Sequence, residues 1–508
     1  MTRREAIAAL SAAGVGLVTA GVGRGRPMRD VDSAPGRGDV RHVCFLFMED
    51  MGLQCGPYGD RTVPTPALDR LASMGCTFDR AYCTSATCSP SRSSIFTGLW
   101  PHQNGHVGLA DGVKEGSNQW GWRLHEGMPT LNPMLRDLGF SIGRTYKLHV
   151  GPEDANPFDA VYQWQSFQDA GRGMNHGAQI AAFMRDFYGQ HVGDDGRMFF
   201  IPQSIDTHRP FAWKGGGHNA SLEYDGSPYR VMTAADDLML PHFGPDIPRP
   251  QNLCRDVADY YNAVQRVDRT VDETLDALET LGILDETLIV FSADHGPPFT
   301  RGKLSVYELG ARVPLIVRWP GVSRAGSREA RPVSLVDFMP TVLDAVGLPI
   351  PEYMPGRSWR GLLDGSADDW PEFAVSEYTT HMTVKTWWPS RTITDGRWKL
   401  NLHMLAGTEH AAGDRPLPDN PPDFRVGINA PEGTVAREIY RRFNAPPRFE
   451  LFDLASDPYE YHSLHDDPRH AGQMKRLQAA LERWQLETHD PFRDEAYLAA
   501  YTDHYKAK

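Results

Sequence analysis

The chain has 508 residues, of which 41% are hydrophobic and 23% are charged, and its formal net charge is −13. This length and apolar content suit a globular protein whose large core is divided between two domains. The negative charge argues against a general nucleic-acid-binding protein, because a polyanion would be repelled, and six cysteines are too few for a disulfide scaffold.

The N-terminus carries the pattern of an export signal. Arg3-Arg4 precede a run of Ala, Leu, Val and Gly that has no charge after Glu5. The pattern resembles a twin-arginine signal and indicates export to the periplasm or secretion, with an ordinary apolar helix as the alternative. Residues 1–38 are therefore expected to form a signal and a linker. No later run is long enough to span a bilayer.

Strand and helix patterns alternate after the linker. The apolar run Val43–Met48 predicts a strand buried on both faces, and Glu49 and Asp50 stand at its carboxyl end. A helix follows, for which Thr65 is the expected cap and Gly75 the stop. Acidic residues at the end of a buried strand indicate chemistry or metal binding.

A second strand with the same arrangement comes much later in the chain. Residues 256–282 predict a long helix with apolar side chains at helical spacing. The β-branched strand after it runs into Asp294 and His295. Because ligands gather at the carboxyl ends of strands in open α/β sheets, the two strand ends predict one shared site.

The last part of the chain changes character. The dipeptide Asp395-Gly396 lies between two alternating segments and predicts a hairpin, and Phe449–Pro458 adds another strand and turn. Residues 468–484 place apolar side chains on one helical face. We therefore expect a first domain over residues 39–374 and a smaller α+β domain over residues 375–508.

The stretch CSPSRSSIFTG, residues 88–98, predicts a short helix that has Pro90 in its first turn and Gly98 as its stop. Cys88 should then lie near the positive end of that helix, where an anion can bind. A buried cysteine at a loop-to-helix junction is the plain alternative. The full pattern, C-x-P-S-R followed by F-T-G, resembles the modification motif of type I sulfatases, in which the cysteine is oxidised to formylglycine.

The resemblance implies a fold and a cation. The fold is α/β and alkaline-phosphatase-like, with a large mixed central sheet flanked by helices and a smaller C-terminal α+β domain that contains an antiparallel sheet. The implied ligands of one divalent cation are Glu49, Asp50, Cys88, Asp294 and His295. Glu49 and His295 replace the Asp and Asn that are commonest in the family. Calcium is the expected ion, and the nitrogen of His295 leaves magnesium or manganese open.

The resemblance also assigns catalytic roles. The implied catalytic residues are Cys88, Arg92, Lys147, His149, His208 and Lys303. Lys147 and His149 stand two residues apart, a spacing that points both to the same face of an extended strand. His149 is expected to deprotonate the formylglycine hydrate, and either His208 or Lys303 to protonate the leaving group. Arg92 is expected to hold the formylglycine or a sulfate oxygen as a fixed cation.

Formylglycine explains why a cysteine is needed. A hydrated aldehyde offers two hydroxyls on one carbon, so one attacks sulfur and the other later expels sulfate, a second step that serine cannot perform. Segments such as KLHVGPEDANPFD and DHGPPFTRGKLSVY resemble the sulfamidase branch of the family, which removes sulfate from N-sulfoglucosamine. Cleavage of an N–S bond requires proton donation to the leaving nitrogen.

The expected function is therefore that of a sulfohydrolase acting on N-sulfoglucosamine or heparan-type saccharides. Two alternatives stay open. One is an O-sulfatase or a phosphonate or phosphodiester hydrolase of the same superfamily, and the other is a non-catalytic binder of sulfated glycans. The expected partners are a sulfated saccharide, a formylglycine-generating enzyme and, from the resemblance, a second copy of the chain in a homodimer.

Overall fold

The computed structural model describes residues 40–110, 122–162, 176–211, 228–382, 386–406 and 421–506. The expected signal and linker, residues 1–38, lie outside the described residues. Among the described residues, none of the helices combines the length and the apolar character that a lipid bilayer requires of a spanning helix.

Strands and helices alternate along the described chain. The strands are β1 (His42–Met48), β2 (Cys76–Phe78), β3 (Ala81–Tyr82), β4 (Phe140–Thr145), β5 (Ala160–Tyr162), β6 (Arg197–Ile201), β7 (Gln203–Ser204), β8 (Thr287–Ala293), β9 (Arg312–Val313), β10 (Leu315–Arg318), β11 (Ser327–Glu329), β12 (Val333–Ser334), β13 (Ala374–Tyr378), β14 (Ser390–Thr394), β15 (Trp398–His403) and β16 (Phe449–Asp453). The α-helices are α1 (Pro66–Met74), α2 (Cys88–Thr97), α3 (Pro101–Asn104), α4 (Leu131–Asp137), α5 (His176–Phe187), α6 (Gln251–Thr280), α7 (Glu308–Ala311), α8 (Phe338–Ala345), α9 (Arg360–Asp364), α10 (Pro422–Ile428), α11 (Val435–Asn444), α12 (Ala471–Glu487) and α13 (Glu495–Lys506).

A mixed nine-stranded sheet forms the centre of the molecule. Its strand order is β11-β2-β10-β8-β1-β6-β4-β5, and β7 pairs with β1. Strand β1 lies parallel to both of its neighbours, β8 and β6, whereas β10 runs antiparallel to β8. Every residue of β1 and β8 is buried, which confirms the prediction that these apolar runs are covered on both faces.

Successive residues of β1 point to opposite faces of the sheet and enter two different cores. On one face, Cys44, Leu46 and Met48 pack with α1, α5 and α6. On the other face, Val43, Phe45 and Phe47 pack with α2, α4, α8 and α9. The long helix α6 buries its predicted stripe completely in the first core; the stripe consists of Tyr260, Val264, Val267, Val271, Leu275 and Leu278.

Helix α1 begins after Thr65 and ends before Gly75, as predicted. The hydroxyl of Thr65 does not cap the helix, because it accepts a hydrogen bond from the backbone N–H of Gly56 instead. The N–H groups of Ala67 and Leu68 donate to the carboxylate of Asp268, at 3.2 and 2.8 Å. The free N–H groups of the first turn are therefore satisfied by a side chain of α6.

A second, antiparallel sheet has the order β13-β14-β15-β16. Thr394 pairs with Lys399 across the predicted hairpin, where Gly396 has a φ of 86° that suits glycine. Helix α12 buries Leu477 and Leu481 near this sheet. Helices α10 and α11, although late in sequence, pack into the core beneath α6. The division into domains of residues 39–374 and 375–508 stays a prediction.

Candidate active site

The two acid-bearing strand ends lie side by side. Met48 of β1 pairs with Ala293 of β8, so the residues that follow each strand leave the same edge of the sheet together. The backbone N–H of Asp50 donates to Oδ1 of Asp294 at 3.0 Å. Asp50 has a φ of 54°, a left-handed conformation that its neighbours must hold in place. The two strand ends therefore lie together, as predicted.

Helix α2 brings Cys88 to this edge. Cys88 is the first residue of the helix and Gly98 follows its last, which confirms the predicted position near the positive end. The Cys88 Sγ atom lies 3.3 Å from Nε2 of His295 and 3.9 Å from Oδ1 of Asp50. Ser91 Oγ donates to the backbone oxygen of Asp294 at 2.6 Å. Burial raises the pKa of the Cys88 thiol, so the unmodified side chain is neutral.

Arg92, one turn further along α2, is buried and held from several sides. Its Nε donates to Oδ2 of Asp294 at 3.1 Å. Its Nη1 donates to Oε1 of Gln203 at 2.7 Å and to the backbone oxygen of Lys147 at 3.0 Å. The guanidinium also lies over the ring of Phe47. Within the described part of the chain, Nη2 has no hydrogen-bond partner, so one donor of this fixed cation remains for a ligand.

Lys147 and His149 follow β4 and do not lie on it, so the expectation of an extended strand through these residues is wrong. Strand β4 ends at Thr145, and Tyr146 turns the chain with a φ of 61°. His149 also has a positive φ, of 59°. Lys147 Nζ nevertheless forms an ion pair with Oε1 of Glu49. A loop of unusual backbone geometry, not strand alternation, therefore brings Lys147 to the acidic edge.

Lys303 and His208 complete the ring of basic side chains. Lys303 Nζ donates to both carboxylate oxygens of Asp50, at 2.8 and 3.1 Å, and is buried. The ring of His208 is half-buried and lies within reach of the carboxylates of Glu49 and Asp50. Its Nδ1 lies 2.6 Å from the backbone oxygen of Arg209, which makes Nδ1 a donor.

The site places three fixed cations against three carboxylates. The cations are Arg92, Lys147 and Lys303, and the carboxylates are Glu49, Asp50 and Asp294. Burial alone would raise the pKa of Glu49, but the nearby positive charges, led by Lys147, hold it well below its usual range. Burial likewise opposes the charge of Lys303, but the carboxylate of Asp50 outweighs it and raises the pKa of Lys303. Glu49 and Lys303 are therefore both charged near neutral pH.

The side chains fit a divalent cation. Ligand atoms of Asp50, Cys88, Asp294 and His295 all lie within 4.8 Å of one another. Nδ1 of His295 lies 2.9 Å from the oxygen of Gly296 and so carries the proton, which leaves a lone pair on Nε2. That Nε2 faces Oδ1 of Asp50 at 3.2 Å. Two acceptors this close require a proton or a cation between them.

Glu49 belongs to a second group of potential ligands. Its carboxylate lies within 4.8 Å of ligand atoms of Asp50 and His208. Its Oε2 is buried and has no hydrogen-bond partner among the residues that the structure describes. A buried carboxylate oxygen without a donor is costly, and a bound cation would remove that cost.

Several contacts of the site come from residues that sequence analysis did not single out. Gln203 holds Arg92, Ser91 holds the Asp294 backbone, and Thr207 Oγ1 donates to the backbone oxygen of Glu49 at 2.5 Å. Ser91 lies inside the C-x-P-S-R motif, and Gln203 ends the apolar run RMFFIPQ. The motif could therefore have identified Ser91, and the position at the end of a strand could have identified Gln203. Thr207 has neither signal.

Two family models match the chain. The model for sulfatases matches residues 41–348. A second model, described as the C-terminal part of N-sulphoglucosamine sulphohydrolase, matches residues 300–415. The first match includes every residue of the site described above.

Similar proteins extend the match over most of the chain. Human N-sulphoglucosamine sulphohydrolase is 30% identical, and the alignment covers 90% of this chain and 92% of the human protein. A structure solved in complex with its substrate, D-glucosamine-2-N,6-O-disulfate, superposes with a TM-score of 0.59 at 18% identity and covers 90% of this chain and 99% of that chain. Phosphonate monoester hydrolase from Silicibacter pomeroyi has a TM-score of 0.62 at 20% identity and covers 88% of this chain and 96% of its own. The predicted architecture, a mixed central sheet with a C-terminal antiparallel sheet, is confirmed.

Proposed function

The chain belongs to the sulfatase family, and on that premise we propose that it removes sulfate from N-sulfoglucosamine or from heparan-type saccharides that carry it. The observation that carries the proposal is the position of Cys88, at the positive end of a buried helix and 3.3 Å from His295. Arg92 and Lys303 bind the same carboxylates that surround it. The similarity to the human N-sulphoglucosamine sulphohydrolase, over 90% of this chain, supports the substrate class.

The proposed enzyme requires a modified residue and a cation. Cys88 would be converted to formylglycine by a formylglycine-generating enzyme. One divalent cation, with calcium as the first expectation, would be held by Glu49, Asp50, Asp294, His295 and residue 88. When both are present, the hydrated aldehyde supplies a hydroxyl nucleophile and the cation offsets negative charge on the sulfate.

Arg92, Lys147 and Lys303 would bind and orient the sulfate. Each is already fixed by a carboxylate or a backbone oxygen, so little reorganisation is needed when an anion binds. The sulfate would then lie in a pocket in which the formal charges of the fixed side chains balance before a divalent cation adds its own. This local balance reconciles an acidic protein with an anionic substrate.

Two histidines would move protons. His149 would accept a proton at its imidazole from the group at position 88. His208 is the proposed donor to the leaving nitrogen, because the raised pKa of Lys303 makes its ammonium a poor acid. With Nδ1 of His208 donating to a backbone oxygen, Nε2 is the nitrogen that would release the proton.

Export and pairing belong to the same proposal. The Arg3-Arg4 pair and the apolar run after it support export of the chain to the periplasm or beyond. The family resemblance supports a homodimer.

The test measures the activity of protein that carries formylglycine at position 88 on three substrates. Release of sulfate from N-sulfoglucosamine, with a higher kcat/KM than for an aryl sulfate or an aryl phosphonate monoester, is expected. Preference for the aryl phosphonate would mean that the chain is a phosphonate hydrolase of the superfamily, whose members have the same overall fold. Binding of a sulfated saccharide with no turnover of any of the three would instead indicate a glycan-binding protein.

A further inference from the structure

A segment from the second sheet runs alongside the stretch that leads into Cys88. Strand β13 and the residues after it form hydrogen bonds with residues 83–87. The bonds join Ser376 Oγ to the oxygen of Cys83, the N–H of Glu377 to the oxygen of Thr84, and His381 Nδ1 to Oγ1 of Thr87. Because Thr87 directly precedes Cys88, the last of these bonds brings His381 to the catalytic helix.

His381 is held firmly in this position. Its Nδ1 lies 2.6 Å from Oγ1 of Thr87. Its backbone oxygen accepts from the N–H of Leu109 at 2.9 Å, and its backbone N–H donates to Oγ1 of Thr386 at 3.2 Å. Among the described residues no protein group forms a hydrogen bond with Nε2. One ring nitrogen is therefore anchored, and the other keeps its hydrogen-bonding capacity.

The His381 ring is neutral. Burial and then the positive charges of Lys303, His149 and His295 hold the pKa of His381 well below its ordinary value. Through its bond to Thr87, the ring lies at the start of the helix that carries Cys88. A neutral imidazole adds a hydrogen-bonding group to that pocket without adding further positive charge.

We propose that His381 is a substrate-binding residue whose Nε2 hydrogen-bonds the saccharide portion of the substrate while the sulfate is held beside Cys88. The proposal rests on the proposed function and names a determinant of its specificity. Arg92, Lys147 and Lys303 would bind the oxygens of the sulfate group. The part of the substrate left to contact other residues of the pocket is then the sugar. Sugar hydroxyls and amines donate and accept hydrogen bonds, and a neutral imidazole nitrogen can do either.

A competing role would be purely positional. His381 could act only by holding Thr87, and through it the start of the catalytic helix α2. Loss of the Thr87 hydroxyl would then have the same effect as loss of the imidazole. The two roles also predict different responses to substrates, because a misplaced residue 88 slows hydrolysis of every sulfated substrate whereas a lost sugar contact affects only saccharides.

Four variants separate these roles: His381→Ala, His381→Gln, His381→Asn and Thr87→Val. Glutamine can place a polar atom near the position of Nε2, whereas asparagine can place one only near Nδ1. The measurements are kcat and KM for N-sulfoglucosamine and for an aryl sulfate, with the melting temperature as a check on folding. His381→Ala should raise KM for N-sulfoglucosamine about tenfold, the effect of one lost neutral hydrogen bond. Its kcat/KM for the aryl sulfate should change by less than about threefold.

The remaining variants complete the test. His381→Gln should recover part of the affinity for the saccharide and His381→Asn should not, while Thr87→Val should leave the ratio of the two substrates unchanged. Equal losses on both substrates, or a Thr87→Val variant that reproduces His381→Ala, would overturn the proposal. Failure of the proposed function would be visible in the wild-type protein alone, as an aryl sulfatase that releases no sulfate from N-sulfoglucosamine, and it would overturn the assignment of His381 as well.

Discussion

Arg92 shows how much of the site depends on the shape of single side chains. Its guanidinium bonds Asp294, Gln203 and a backbone oxygen at once. Arg92→Lys keeps the charge but not this fork, so we expect kcat to fall about 100-fold. The matched control is Arg61→Lys, in which an exposed arginine paired with Asp69 is replaced and activity should not change.

Steady-state kinetics on both variants with the same substrate checks this prediction. An Arg92→Lys enzyme with wild-type kcat would mean that the fork does not orient the sulfate.

At this scale, the sequence predicted the residues that lie in local motifs. Cys88 and Arg92 belong to one helix, and Asp294 and His295 directly follow a buried strand. Short stretches of sequence were therefore enough to predict where these residues lie. His381 could not be found in this way. It reaches Thr87 across 294 positions of sequence through the packing of a second sheet, which no local pattern records.

Helix α1 depends on a cap that comes from another helix. Asp268 accepts hydrogen bonds from the N–H groups of Ala67 and Leu68 and from the hydroxyl of Tyr229. Asp268→Ala leaves the two buried N–H groups without an acceptor and should destabilise the protein by about 2 kcal/mol. Asp272→Ala, one turn along the same helix at a half-exposed position, should cost less than about 0.5 kcal/mol.

Urea unfolding of the two variants and the wild type measures the difference. Equal midpoints for Asp268→Ala and Asp272→Ala would show that α1 does not need the cap.

A buried histidine couples two loops beside the site and makes stability depend on pH. Nδ1 of His106 donates to the oxygen of Gly108 at 2.9 Å, and its Nε2 accepts from the N–H of Gly151 at 3.2 Å. Burial lowers the pKa of His106 to about 3, so the native ring stays neutral where the unfolded one, with an ordinary value of 6.5, binds a proton. Its contribution is therefore complete above pH 6.5 and is lost as the pH falls towards 3, by about 1.4 kcal/mol per pH unit.

His106→Gln removes this titrating group, so the variant should lose less stability than the wild type between pH 6.5 and 4.5. Thermal midpoints of both proteins across that range provide the measurement. Parallel pH curves would contradict the assignment of a neutral native His106.

Elements with a clear apolar period were predictable, and the loops between them were not. A continuous apolar run predicted that β1 and β8 are strands buried on both faces. Apolar residues at helical spacing predicted that α6 is a helix buried on one face. The prediction failed at Lys147 and His149, because positive φ values at Tyr146 and His149 turn the chain away from the strand. Such conformations are imposed by surrounding packing and leave no periodic trace in the sequence.

The whole molecule relies on its late segments to complete the core under the central sheet. Phe424 of α10 and Ile439, Tyr440 and Phe443 of α11 are buried in the same cluster as α6. A fragment of residues 40–374 lacks all of them and exposes the apolar surface that they cover, so we expect it not to fold cooperatively. A chain that ends before α13 serves as the control and should fold, because the described side chains of this helix pack only against the edge of the smaller cluster on the second sheet and its loss leaves the core under the central sheet intact.

Near-ultraviolet circular dichroism and the heat of thermal unfolding compare the two shortened chains with the full one. A cooperative transition in the fragment of residues 40–374 would show that the first predicted domain is independent.

The oxidation state of residue 88 in active protein tests the account most directly. Mass spectrometry of the peptide covering residues 80–100, taken from enzyme of known turnover, distinguishes a thiol from an aldehyde because the modification exchanges sulfur and two hydrogens for one oxygen. We predict that turnover scales with the fraction of aldehyde and that Cys88→Ala melts like the wild type but releases no sulfate. Full activity in protein that carries the intact thiol would contradict the account.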